Sequence, residues 1–376
     1  MYIQYTDPVH WPVIMHGANI LARKGWHILF LGVYNISDPE KRIEMDLTKN
    51  IKIKMLSFIR IGLLKKLQFF FYNFWVLLNV VFWKPDVIYA SEKLVCPISL
   101  LIRKYFSVKL IYHELLCVNN EEDIRPKFLI KARREIAKVC DLCILPNEPR
   151  MEKFINEIGD HGRVIYTHAY PPKEEVINLP QKRKSNSKKL KLFYHGMIGP
   201  DRLPIELFQA LEELKDKAEL TIAGVDLADY GHEIKKQIKE RDLEKNVNYI
   251  GFIQKRDDLL RECSYADVGL SLAQKTVKKD EEPEFDMAGG AQRPFEYMAL
   301  GLVPLVTDLD DWNRLFVETG FGYSCDPDDK DDIRKVLQRL YIDRDSLFDI
   351  GQNNRKQIMD TWNYDNEFRK VENYIE

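Results

Sequence analysis

The stretch from Ala288 to Val306 constrains this chain most. Gly289 and Gly290 lead into a short helical pattern carried by Phe295, Met298 and Ala299, and Gly301 stops it. The apolar run from Val303 to Thr307 then reads as a buried strand. A loop, a helix, a loop and a strand in that order belong to an α/β fold. Small residues ahead of a helix leave backbone N–H groups free to face an anion, and the helix dipole adds to the attraction, so Gly289 and Gly290 form a candidate phosphate seat. Glu296, one turn into the helix, is placed to offer a carboxylate to sugar hydroxyls. The same glycine pair also reads as a simple turn.

The same rhythm runs through the rest of the chain. Strands are expected at Tyr2 to Tyr5, His27 to Val33, Ile51 to Met55, Asp86 to Tyr89, Lys109 to Tyr112, Leu142 to Leu145 and Val164 to Tyr166. Helices lie between them: one from Pro12 to a stop at Gly25, one over Cys96 to Tyr105, one over Pro149 to Gly159. Such alternation predicts a doubly wound parallel sheet. A polar, basic run from Pro180 to Lys189 reads as a solvated linker, and a second series begins at Leu190 with Leu192 to Gly196, Leu220 to Gly224, Val247 to Phe252 and Ala266 to Leu272. The charged segment Lys275 to Pro283 is long for a loop in such a fold and is expected to act as a lid. A total of 376 residues allows two domains with a core each.

A net charge of −2 gives no footing for nucleic acid, so charged ligands must meet local patches. The six cysteines sit in apolar segments, which fits reduced thiols in a cytoplasm. Cys140 and Cys143 have redox or zinc spacing, but without a second pair they read as core cysteines on a strand, pointing to opposite faces. The most hydrophobic segment, Phe69 to Trp83, is shorter than the roughly 20 residues of a membrane span. It reads as a helix buried against the sheet or, with Arg60, Lys65 and Lys66 ahead of it, as a helix lying in a membrane interface.

The segment Arg293 to Val306 resembles the nucleotide-sugar-binding signature of retaining glycosyltransferases of family four, which have the GT-B fold. The resemblance implies that Glu296 holds the ribose of a donor nucleotide and that Arg293 fills the basic position three residues earlier. Many members carry a further Glu facing the donor sugar where this chain has Ala288, with Asp286 and Glu284 nearby. The turn after Leu192 to Gly196 resembles the family's diphosphate grip: Gly196 is kept, Arg202 matches a Lys, and Met197 replaces an Arg. Phe252 falls at the expected nucleotide-base contact. His113 followed by Glu114 resembles the His, often with a Glu after it, that stands near the reacting sugar, at the carboxyl end of a strand where open sheets bind ligands. Ala18 to Leu29 resembles the family's opening helix and strand, although the loop Asp7 to Pro12 lacks the usual glycines.

The implied architecture is two Rossmann-like domains facing each other across a cleft. Residues 1–172 form the acceptor side, 173–189 a linker and 190–360 the nucleotide-sugar domain, while 361–376 cross back to the first domain. The implied activity is metal-independent, cofactor-free transfer of a hexose, with retention, from a nucleotide-diphosphate sugar to a hydroxyl of a glycan or lipid-linked acceptor, in glycan or cell-envelope polysaccharide synthesis. Its place is the cytoplasm, with peripheral membrane contact through residues 60–83. The expected catalytic residues are His113 and Glu114; the donor residues are Gly196, Arg202, Phe252, Gly289, Gly290, Arg293 and Glu296. The rival readings are a nucleotide-sugar epimerase of the same fold and a non-catalytic scaffold.

Overall fold

The computed structural model describes residues 1–34, 48–57, 59, 62–115, 127–159, 163–179, 187–226, 229–275 and 291–375. The chain divides into two units, one of residues 1–169 with 364–376 and one of residues 170–363.

The first unit begins with β1 (Tyr2–Ile3), α1 (Pro12–Arg23), β2 (Ile28–Val33), β3 (Ile51–Leu56), α2 (Gly62–Trp83) and β4 (Val87–Ser91). It continues with α3 (Cys96–Tyr105), β5 (Lys109–His113), α4 (Phe128–Val139), β6 (Leu142–Leu145), α5 (Glu148–Ile158) and β7 (Val164–Tyr166). All pairings are parallel, in the order β3-β2-β1-β4-β5-β6-β7. A parallel sheet covered on both faces needs strands apolar throughout, and β2, β4 and β6 are buried at every residue. The sequence order of the strands reverses between β1 and β4, so a ligand-binding crevice is expected beyond their carboxyl ends.

Two expectations are corrected here. The apolar helix is not simply buried. Tyr72, Val76 and Val80 of α2 are fully covered, but Leu64, Leu67, Phe70, Phe71, Phe74, Leu78, Val81 and Phe82 are exposed, Phe82 to 83%. A 3.6-residue period explains the split: one stripe meets the sheet, and the remaining side chains are apolar with nothing in their own unit to cover them. Among the described residues no helix is long and apolar enough to cross a membrane. The cysteine pair also differs. Cys140 closes α4 ahead of β6, so it does not share the strand alternation with Cys143, and both join the same core. The five described cysteines are buried.

The second unit opens with α6 (Lys173–Asn178), inside the expected linker; Val176 is fully buried, which makes this segment part of a core. There follow β8 (Leu190–Ile198), α7 (Ile205–Glu212), β9 (Ala218–Asp226), α8 (Gly231–Glu240), β10 (Val247–Gly251), α9 (Arg256–Cys263) and β11 (Val268–Ser271). The unit closes with α10 (Arg293–Ala299), β12 (Val303–Thr307), the short α11 (Asp310–Trp312), β13 (Tyr323–Cys325), α12 (Lys330–Ile342) and α13 (Arg344–Asp360). Its parallel sheet runs β10-β9-β8-β11-β12-β13 and reverses between β8 and β11. Arg355 of α13 ties three pieces together, donating to the carbonyls of Ala299 (3.0 Å), Val176 (2.6 Å) and Leu179 (3.3 Å). The last helix, α14 (Tyr364–Ile375), belongs to the first unit, where Phe368 lies over Gly17 of α1. A methyl group on Gly17 would come within 2.6 Å of that ring.

One buried ion pair organises the first unit. Arg133 donates from Nε and Nη2 to the two carboxylate oxygens of Glu114, at 2.6 and 2.7 Å, and Tyr112 donates to the same carboxylate at 2.9 Å. Both partners are about 2% exposed. Removing one member of such a pair leaves an uncompensated charge, so Arg133→Met is expected to lower stability by about 3–5 kcal/mol. Adding Glu114→Gln should restore part of the loss. Urea denaturation of the single and double variants checks this, and a single-variant loss below about 1 kcal/mol would refute it.

Candidate functional site

The carboxyl end of β8 carries the sequence Tyr194-His195-Gly196-Met197. Gly196 has φ +128°, a conformation that favours glycine, and a methyl group there would stand 3.0 Å from Nη2 of Arg293. Arg293 starts α10 and lays its guanidinium over the Tyr194 ring, 4.7 Å from the ring centre. Burial pushes the Tyr194 hydroxyl up, while the charges of Arg293 and Arg202 pull it back. Arg202 also meets Asp201 at 3.1 Å. Met197, at the position where the resembling family has an Arg, is 55% exposed.

Glu296 lies one turn further along α10 and is 5% exposed. A carboxylate buried to that degree needs partners. Arg256, from the start of α9, donates to Glu296 and at 2.7 Å to Glu175 of α6, so one guanidinium bridges two carboxylates. Gln292 donates to Glu296 at 2.9 Å. His195 completes the group, its Nε2 3.4 Å from Glu296 Oε2 and without a hydrogen bond. Burial lowers the His195 pKa to about 4 despite the opposing pull of Glu296, so the ring is neutral near pH 7.

Tyr297 fixes this constellation. Its hydroxyl donates to the Leu270 carbonyl (3.0 Å) and accepts from the His195 N–H (3.3 Å). Phe252 follows β10 at the same edge of the sheet and is partly exposed. Of the expected donor residues, Gly196, Arg202, Arg293 and Glu296 thus gather around the ends of β8 and α10. Gly289 and Gly290, like Ala288 and the segment 276–283, lie outside the described residues. Sequence reasoning missed Arg256, Glu175 and Tyr297. The run Lys255-Arg256-Asp257-Asp258 reads as a solvated helix start, and Arg256 pairs with residues 81 and 40 positions away.

His113 and Glu114, expected side by side in catalysis, part company in the first unit. His113 ends β5 with Nδ1 2.8 Å from the Tyr89 hydroxyl, and burial lowers its pKa to about 3. Glu114 has both oxygens held by Arg133 and also accepts from Tyr112. Among the described residues no group of three or more His, Cys, Asp or Glu side chains converges as a metal site.

A family model described as glycosyl transferases group 1 matches residues 175–357. No curated protein sequence matches the chain. Solved structures do. Sucrose-phosphate synthase from Thermosynechococcus elongatus superposes with a TM-score of 0.72 at 15% identity, over 99% of this chain and 98% of its own. The Anabaena protein HepE, solved with UDP and glucose, gives the same values: 0.72, 15%, 99% and 98%. A glycosyltransferase from Rickettsia africae gives 0.70 at 13% identity, over 99% and 97%.

The buried imidazole has a measurable consequence. The unfolded His195 protonates near its ordinary value of 6.5 and the folded one only near 4, so falling pH through that window protonates the unfolded state first and stability drops. The loss attributable to His195 is at most about 3 kcal/mol. Denaturation at pH 7 and pH 4.5 is expected to show a smaller decline for His195→Gln than for wild type. Equal declines would refute the assignment.

Proposed function

We propose that this chain, a GT-B protein whose residues 175–357 belong to the group 1 glycosyl transferases, moves a sugar from a nucleoside-diphosphate sugar to a hydroxyl acceptor. One observation carries the reading: Arg293 lies over the Tyr194 ring at the end of β8, with Arg202 in the segment between β8 and α7 and the buried Glu296 one helical turn beyond Arg293. As the bond from the sugar's anomeric carbon to the diphosphate breaks, its electron pair passes to the diphosphate oxygen. Two guanidinium groups stabilise that charge where it develops, without a metal ion. Glu296, oriented by Arg256 and Gln292, accepts hydrogen bonds from ribose hydroxyls, and Phe252 borders the base. Gly289 and Gly290, outside the described residues, keep the donor-binding role that the resemblance implies.

His113 serves the sugar-transfer step as a neutral ring oriented by Tyr89, whereas Glu114 is assigned to the fold. The donor is a hexose donor, transfer proceeds with retention, and the acceptor belongs to glycan or envelope polysaccharide synthesis. UDP is the first nucleotide to try, since HepE was solved with it.

Calorimetric titration with UDP, GDP, ADP and TDP tests the donor site. One of them is expected to bind, and Arg202→Ala and Arg293→Met should each weaken it by about 1.5–3 kcal/mol, the scale of a hydrogen bond to a charged group. Binding should survive a chelator. Well-folded protein that ignores all four nucleotides would reject the proposal.

The exposed apolar stripe of α2, with the exposed Lys66 on the same helix, supports peripheral contact with an anionic bilayer. Flotation with phosphatidylcholine vesicles containing phosphatidylglycerol is expected to carry wild type and to leave behind a triple variant, Phe70→Ser, Phe74→Ser and Phe82→Ser. Equal flotation of the two proteins would rule this contact out.

A further inference from the structure

The first unit holds a strained residue that the donor chemistry does not use. Glu92 follows β4 directly and has φ 73°, ψ 159°. That region is essentially reserved for glycine, and a side chain persists there only when its surroundings enforce it. The other described non-glycine residues with positive φ, Lys84, Asp229 and Asp242, have φ of 50–58° next to helix ends, where a left-handed residue is an ordinary turn element. Glu92 is a different case, because it ends a central strand.

Its position is the switch point of the sheet. β1 and β4 lie side by side where the strand order reverses, and ligands of such sheets bind beyond the carboxyl ends of those strands. Thr6, just past β1, donates to Glu92 Oε1 at 2.9 Å, and Gln4 donates to the Thr6 hydroxyl at 2.7 Å. The Glu92 N–H donates to the His113 carbonyl at 3.1 Å, which joins this residue to the end of β5. Glu92 as a residue is half-buried. Gln4, which reaches Glu92 through Thr6, and Ser91, its neighbour in the chain, are both 1% exposed, and Gln4 Oε1 and Ser91 Oγ have no hydrogen-bond partner. Buried polar atoms left unpaired on residues linked to a strained one point to a site for a polar ligand.

We infer that Glu92 binds a neutral sugar acceptor at the switch point of the first unit, its carboxylate accepting a hydrogen bond from an acceptor hydroxyl while Thr6 holds the other side of the group. That it is an acceptor rests on the transferase reading; the hydroxyl contact itself does not. Burial, only partly offset by the Thr6 and Tyr5 hydrogen bonds, pushes the carboxyl up to about 7, as suits a group kept from bulk water until a ligand arrives. A carboxylate here favours uncharged sugars over phosphorylated ones, because an anionic ligand would meet like charge.

The experiment is saturation-transfer NMR on the full chain at pH 8 with methyl glycosides of glucose, galactose and mannose, which needs no donor. At least one glycoside should bind wild type, and Glu92→Gln should weaken it by roughly tenfold or more, the loss of a charge-assisted hydrogen bond. Urea midpoints for Glu92→Gln should be no lower than wild type, and higher at pH 8, where the buried carboxylate costs stability. Glu92→Gly should be more stable than Glu92→Ala, since both lack the side chain and only glycine suits the backbone. The inference is overturned if no glycoside binds wild type, if Glu92→Gln binds as tightly as wild type, or if Glu92→Gln unfolds at lower urea. A UDP titration run in parallel separates the two proposals: glycoside binding that depends on Glu92 in a protein deaf to nucleotides would sink the donor site alone.

Discussion

Helix α10 can sit where it does only because Gly269 has no side chain. A methyl group on that glycine would fall 2.0–2.4 Å from ring atoms of Tyr297, so the phenol occupies the volume a side chain would need. The ring lies flat on β11 while its hydroxyl bridges to β8. That single packing contact sets the height and rotation of a seven-residue helix too short to hold its own geometry. Arg293 and Glu296 inherit their positions from it. Arg293 stands one turn before Tyr297 and reaches back over Tyr194 to the bare backbone of Gly196, while Glu296 turns inward to Arg256. A second close approach supports the same edge, since a side chain on Gly224 of β9 would collide with the Gly196 carbonyl at 1.9 Å.

Burying Glu296 is unfavourable unless the charge is compensated, and the second unit meets that cost by sharing one guanidinium between Glu175 and Glu296. The first unit uses the same kind of partner differently. There Arg133 takes both oxygens of Glu114 in a closed fork, and Tyr112 fills the remaining acceptor site. Glu296 has the neutral His195 ring beside it, with Nε2 at 3.4 Å from Oε2, and Gln292 as a further donor. Similar side-chain chemistry thus gives a closed fork in one unit and a guanidinium shared between two carboxylates in the other. What differs is how completely the arginine engages the carboxylate.

The strands were legible because parallel sheets demand apolar residues on both faces, and runs such as Ile28 to Val33 and Val303 to Thr307 satisfy that demand locally. Boundaries set by local breakers were legible too: Pro12 opens α1 and Gly25 ends its turn. Long-range pairing left no such trace. Nothing near Arg256 marks it as the partner of Glu175 and Glu296, and nothing in the Ser91-Glu92 dipeptide signals a strained backbone. The α2 segment misled for a physical reason, because hydrophobicity alone does not report whether a covering surface exists. Cys140 and Cys143 are core cysteines as the apolar context implies, but Cys140 ends α4 rather than lying on β6, so strand alternation does not describe the pair.

Met197 shows how a site can keep its charge while losing a residue. The turn after β8 presents an exposed thioether where the resembling family has a guanidinium, so that position contributes no cation. Arg293 lies against the preceding residue, Gly196, and Arg202 stands in the loop before α7. On the proposed transferase reading, guanidinium groups on separate elements would serve a diphosphate as two on one turn would, because Coulomb attraction depends on distance and burial rather than on sequence position. On that reading the substitution leaves the site more dependent on α10, whose placement rests on Gly269 and Tyr297, and a side chain at position 269 would displace Arg293 by way of the Tyr297 ring.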